Sequence, residues 1–239
     1  MRMRSALQVI FFDAAGTLFH IRGSVGETYL SHARKYGVTA SAEAIEKAFK
    51  RAFADAPPPV FAVSDPQEIT SCERLWWFDV VHTVFYRVGM FEGFDEYFEE
   101  VFHYFSRPDA WDLYPDTLPT LTSLESRGVE LGIVSNFDSR LYEILIGLGI
   151  DRFFESITIS SFTGAAKPSP LIFHRALRKH GAPPEAALYV GDSLREDAQA
   201  ATAAGLRGIL LDRDGGEALL PDQVTITSLS TLLAFGGVE

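Results

Sequence analysis

Leu7-Gln8-Val9-Ile10-Phe11-Phe12-Asp13-Ala14-Ala15-Gly16-Thr17-Leu18 is an apolar run that ends on one carboxylate and a small, glycine-containing turn. The run reads as a strand, and the turn places Asp13 at its carboxyl end, facing backbone N–H groups. In open α/β sheets that edge is where ligands bind. Three further pieces follow in an order that fits the same edge: Ser135 after an apolar run, Lys167 before a helical pattern, and Gly191-Asp192 after another apolar run.

From about residue 112 onward, strand-like runs at 130–135, 156–160, 187–190 and 207–211 alternate with amphipathic stretches at 116–127, 139–148, 169–180 and 194–204. That alternation predicts βαβ units and a mostly parallel sheet, an α/β, Rossmann-like three-layer core. Gly128, Gly149, Gly181 and Gly205 mark the helix stops. A last strand is expected at 224–227 and a short helix after it.

Between His20 and Ala110 the pattern changes. Residues 25–36, 41–54, 69–88 and 94–105 carry apolar residues at helical spacing without alternation. Ser41 is a good N-cap, Gly37 and Gly89 are good stops, and Ala56-Pro57-Pro58-Pro59 is a stiff loop. The expectation is an all-helical cap domain at 21–110, inserted into a core made of 1–20 and 111–239, with both junctions at the sheet edge that carries Asp13. Trp76-Trp77-Phe78 and the stripe Val84, Phe85 and Val88 are read as the cap's own core.

The chain has 239 residues and 47% apolar content, ample for a packed core, and a net charge of −11 that argues against broad nucleic-acid or anionic-membrane binding. Cys72 is the only cysteine, so no disulfide forms within the chain. No run approaches the roughly 18 apolar residues of a membrane span. The N-terminal Met1-Arg2-Met3-Arg4 is basic, but a signal peptide there would remove Asp13. A cytoplasmic protein is expected.

Asp13-Ala14-Ala15-Gly16-Thr17, Ser135-Asn136, Gly164-Ala165-Ala166-Lys167-Pro168-Ser169-Pro170-Leu171-Ile172-Phe173 and Gly191-Asp192-Ser193-Leu194-Arg195-Glu196-Asp197 together resemble the four motifs of the haloacid dehalogenase-like hydrolases. The branch with a helical cap after the first motif is the most similar. The resemblance implies a Mg²⁺-dependent phosphatase acting on a small phosphorylated metabolite. Asp13 would be the nucleophile that forms an aspartyl phosphate, Ser135 would bond a phosphoryl oxygen, and Lys167 would neutralise charge. Mg²⁺ would be held by Asp13, the backbone carbonyl of Ala15 and Asp192, with Asp197 in support directly, through a water or through Lys167. Thr17, His20 and Asn136 are expected on the substrate side.

One position departs from the pattern. Ala15 stands where family phosphatases carry a second Asp, which protonates the leaving oxygen and then activates water. Losing a positioned acid/base typically costs about 10²–10⁴-fold in rate. His20, seven residues after Asp13, is the expected substitute, although an ordinary hinge histidine is the commoner reading of such a residue. Three alternatives stay open at this point. One is a non-catalytic phosphate- or metal-binding protein. Another is a dehalogenase, which needs neither that Asp nor Mg²⁺. The third is a phosphonatase, which pairs Ala here with a Schiff-base lysine from the cap, for which Lys35, Lys47 and Lys50 lie in the right region.

Overall fold

The computed structural model describes residues 7–216 and 222–235. In chain order the strands are β1 (Val9–Phe12), β2 (Phe19–Ile21), β3 (Trp111–Leu113), β4 (Glu130–Ser135), β5 (Ser156–Ile159), β6 (Ala187–Gly191), β7 (Arg207–Leu211) and β8 (Val224–Ile226). The α-helices are α1 (Val25–Ala33), α2 (Ala42–Asp55), α3 (Pro66–Val88), α4 (Phe94–Tyr104), α5 (Thr117–Ser126), α6 (Arg140–Gly147), α7 (Ser160–Thr163), α8 (Pro170–His180) and α9 (Ala200–Ala203).

Six strands form one parallel sheet in the order β5-β4-β1-β6-β7-β8, a Rossmann-like α/β core. The hydrophobic run around β1 is continuous because it is covered on both faces. Ile10 and Phe12 enter one apolar cluster with α5 and α6, while Val9 and Phe11 enter the other with α8 and α9. Each buried Phe contributes roughly 1.5–3 kcal/mol, so this short strand is strongly held. The connections step from β1 to β4 and β5 on one side, then jump back past β1 to β6. The carboxyl end of β1 is therefore a topological switch point, where adjacent connections diverge and leave a crevice.

Helices α1 to α4 pack around their own aromatic-rich cluster, which includes Tyr29, Phe85, Phe94, Tyr97 and Phe98. Ser41 caps α2 by accepting from the Ala44 N–H, and Asp65 caps α3 by accepting from Gln67 and Glu68.

Two details differ from the sequence reading. The expected junction at 20/21 falls inside, and that at 110/111 at the edge of, an antiparallel ribbon in which β2 pairs with β3, with His20 opposite Asp112. Three-residue strands carry too little periodicity to be read from sequence. The single helix expected over 194–204 opens instead as a π-helical turn, Leu194–Gln199, before α9. In that wider turn Asp197 accepts the Ser193 N–H with one oxygen and faces Lys167 with the other.

Candidate active site

Strand register places the first, second and fourth motifs on one edge. Phe12 lies level with Ile133 of β4 and Val190 of β6, so Asp13, Ser135 and Asp192 leave neighbouring strands at nearly the same height. The Asp13 N–H is held by the Val190 carbonyl at 2.9 Å. Gly16 closes the turn with φ +88°, and a Cβ there would run into the Asp192 carboxylate. Glycine is thus required twice over at this position, by backbone conformation and by the approach of the acid. The turn is braced from outside: Thr117 Oγ1 donates to the Leu18 carbonyl at 2.6 Å, and Arg213, paired with Asp116, donates to the Thr17 carbonyl at 2.8 Å.

Lys167 is the hub. Its Nζ lies 2.6 Å from Asp13 Oδ1, 2.6 Å from Asp197 Oδ1 and 2.9 Å from the Tyr189 hydroxyl, with only 4% of the residue exposed. Its backbone is clasped by Asn136, whose Oδ1 accepts from Lys167 N at 2.7 Å and whose Nδ2 donates to Lys167 O at 3.0 Å. The Tyr189 hydroxyl is 2.8 Å from both the Val134 carbonyl and Asp197 Oδ1. Burial acts to lower the Lys167 pKa, but Asp13 and Asp197 outweigh it and hold the ammonium charged. Burial raises the Asp13 pKa, against Lys167 and a Ser135 hydrogen bond that lower it, with Asp197 adding to the rise. Asp192 opens to the cleft by surface exposure yet sits among its walls; that desolvation, then repulsion from Asp13 and Asp197, pushes its carboxyl up to about 7.

One oxygen each from Asp13, Asp192 and Asp197 lie within 4.8 Å of one another. Three carboxylates facing one ammonium leave an uncompensated negative site of hard oxygen donors, which suits a divalent cation such as Mg²⁺. Asp13 and Asp192 can turn oxygens to a metal. Asp197, with Lys167 and Tyr189 on Oδ1 and Ser193 N–H on Oδ2, has both its oxygens already engaged and acts chiefly by holding Lys167.

These residues floor a cavity of about 740 Å³ whose lining also includes Ala15, His20, Ser135 and Asn136. Residues 7–205 match the profile of the haloacid dehalogenase-like hydrolases. The chain belongs to that family. It is 32% identical to haloacid dehalogenase-like hydrolase domain-containing protein 3 of Danio rerio over 97% of both chains. Over 101 residues, 42% of this chain and 43% of the other, it is 44% identical to the glyceraldehyde 3-phosphate phosphatase of Methanopyrus kandleri. The fold is similar to that of a HAD phosphatase from Thermococcus onnurineus, with a TM-score of 0.64 at 24% identity over 95% and 97% of the two chains. No helix among the described residues is long and apolar enough to cross a membrane.

Not every expected residue of this family member faces the cavity. Thr17 is fully buried, lends its carbonyl to Arg213 and does not line the cleft. The Asn136 side chain is turned to the Lys167 backbone, which makes it a positioning residue. His20 does line the cleft; its Nδ1 is 3.0 Å from the Ile21 carbonyl and its ring lies 4.8 Å from that of Tyr114. A carbonyl can only accept, so Nδ1 is the donor in this contact. Lys35 pairs with Glu100 at 2.6 Å and Lys50 with Glu46 at 3.5 Å, and neither they nor Lys47 line the cavity.

Sequence reasoning missed a seam between cap helices and core. Trp77 Nε1 donates to Asp138 Oδ2 at 2.6 Å, and Asp138 also holds Arg140 through both its oxygens. Burial raises the Asp138 pKa, but Arg140 overrides it and keeps the carboxylate charged. Trp76 and Trp77, read as cap core, also line the cleft, whereas Phe78 packs against Phe94 and Phe98 as expected. Neither Asp138 nor Tyr189 sits in a pattern that singles it out; only their neighbours in space do.

Proposed function

We propose that this protein is a Mg²⁺-dependent phosphomonoester hydrolase working through an aspartyl phosphate on Asp13. The observation that carries the reading is the pairing of Asp13 with Lys167 at 2.6 Å at the end of β1, beside Asp192 and open to the cavity. The 44% identity to a named phosphatase over part of the chain supports it. In this scheme the Asp13 carboxylate attacks phosphorus while Lys167 and the Ser135 hydroxyl bind the phosphoryl oxygens. Bound Mg²⁺, held by Asp13, Asp192 and the Ala15 carbonyl, would supply further positive charge to those oxygens. Asp197 and Asn136 fix Lys167 in place. Residues 21–110 serve as a cap domain over the site, hinged at the β2–β3 ribbon. No side chain at position 15 can protonate the leaving group, so the first step relies on the leaving group's own stability. His20 Nε2 serves as the base for the water that releases phosphate.

The test is acid-quench mass spectrometry after mixing with acetyl phosphate and Mg²⁺. A phosphorylated Asp13 peptide that Asp13→Asn lacks supports the scheme. No adduct together with no phosphate release would sink it and leave a phosphate-binding protein without turnover.

A further inference from the structure

The floor of the cavity is ionic, and its roof is not. Above Asp13 the cap contributes Phe49, Phe53, Trp76, Trp77, Phe102 and Phe105 to the lining. Phe53, 45% exposed, stacks on Trp77 at 5.9 Å between ring centroids and meets Trp76 edge-on at 5.9 Å. The polar handles of this wall are already in use: Trp76 Nε1 donates to the Pro57 carbonyl at 2.8 Å and Trp77 Nε1 to Asp138. What these rings offer a ligand is carbon.

The charges in the lining point the same way. Among the described residues, Lys167 and Arg140 are the only lysine or arginine in it. Arg140 has its Nε and Nη2 on Asp138 and its Nη1 on the Phe102 carbonyl, and lies over the rings of Trp77 and Phe102 at 4.9 and 4.3 Å. Glu46, the one carboxylate that the cap adds to this lining among the described residues, is already partnered: it accepts from Gly26 N at 2.8 Å and pairs with Lys50 at 3.5 Å. A second phosphate or a carboxylate on the substrate would find no free cation in that lining.

We infer that, within the phosphatase reading on which this rests, the substrate is the phosphate monoester of a flat, uncharged phenol whose ring lies in the Phe53–Trp77 wall. The chemistry of the first step agrees. The Asp13 oxygen–phosphorus bond forms as the phosphorus–phenolic oxygen bond breaks, and the electron pair leaves on the phenolate, which takes its proton from solvent. A phenol has a pKa of about 10, so it departs without the acid that Ala15 cannot supply. Water then attacks the aspartyl phosphate, releasing orthophosphate and restoring the carboxylate.

The experiment compares kcat/KM for naphthyl, phenyl, carboxyphenyl, hexyl and glycerol phosphates, with acetyl phosphate as a substrate that has no ring. Naphthyl phosphate should lead. Carboxyphenyl phosphate should fall about tenfold or more below phenyl phosphate. Phe53→Ala should lower naphthyl phosphate turnover about tenfold more than acetyl phosphate turnover. Naphthol should also inhibit acetyl phosphate hydrolysis competitively in the wild type. Hexyl or glycerol phosphate matching naphthyl phosphate, or equal losses on both substrates in Phe53→Ala, would overturn the inference while leaving the phosphatase intact. Failure on acetyl phosphate itself would instead remove the phosphatase reading.

Discussion

Glu73 on α3 and Ser139 at the head of α6 are joined twice across the seam between cap helices and core. Glu73 Oε1 accepts from Ser139 N at 2.9 Å and Oε2 from Ser139 Oγ at 2.5 Å, with Glu73 only 2% exposed. Desolvation raises the Glu73 pKa above its ordinary 4.5, against the Ser139 and Ser161 hydrogen bonds that lower it, with Asp138 adding to the rise.

The sign of the pH effect follows. As pH climbs from 4.5 through the higher folded-state pKa, the folded chain keeps a proton that the unfolded chain has lost, so this group's contribution to stability falls. Glu73→Gln keeps an acceptor for Ser139 N and a donor for Ser139 Oγ without the charge. Its stability relative to wild type should therefore improve from pH 5 to pH 7.5 in denaturant titrations, whereas Glu73→Ala should lose about 3 kcal/mol by orphaning both Ser139 donors. A flat Gln-minus-wild-type difference across that range would refute the assignment.

Lys167→Met should be more harmful to the fold than Asp13→Asn. The first leaves Asp13 and Asp197 buried with no counter-charge, at about 3–5 kcal/mol. The second removes one of the repelling carboxylates and should leave the melting temperature unchanged or higher. Both should reduce turnover on the order of 10⁴-fold. Calorimetry beside steady-state rates separates the two effects.

Mg²⁺ should stabilise the protein without any substrate present. At about 100 times Kd, binding contributes ~2.7 kcal/mol, roughly 5–10 °C in melting temperature for a chain of this size. Asp192→Asn should raise the metal-free melting temperature, because repulsion with Asp13 and Asp197 is relieved, and should remove most of the Mg²⁺ shift. An undiminished shift in that variant would place the ion elsewhere.

Ala15→Asp should accelerate alkyl phosphates by about 10²–10⁴-fold and aryl phosphates far less, since only the alkoxide needs a proton as it leaves. The slope of log kcat/KM against leaving-group pKa measures this directly: steep in the wild type, shallow in the variant. A shallow wild-type slope would mean that another group already donates.

His20→Ala should slow the second step and spare the first. With Nδ1 protonated toward the Ile21 carbonyl, the neutral ring can accept a proton from water but has none at Nε2 for a leaving group. Pre-steady-state mixing with an aryl phosphate should show a full burst of phenol followed by a slower steady state. An unchanged steady-state rate and pH profile would rule His20 out as the base.

The sequence alone carried the parallel α/β core, the helical insertion and the four motif positions. Continuous apolar runs, helical spacing and helix stops are local signals, and Asp13, Ser135, Lys167 and Asp192 each sit at an element's end where such signals change. The ribbon of β2 and β3 was invisible because three residues hold no period. Thr17 and Asn136 show the other limit. Their place in the motifs was legible, but the burial of Thr17 and the turn of the Asn136 side chain to the Lys167 backbone were decided only in the fold. Tyr189, Asp138 and Glu73 reach Lys167, Trp77 and Ser139 across 22, 61 and 66 residues of sequence. A hydrogen bond to such a partner leaves no local periodicity; it exists only once the chain has folded and a buried polar atom must find its counterpart.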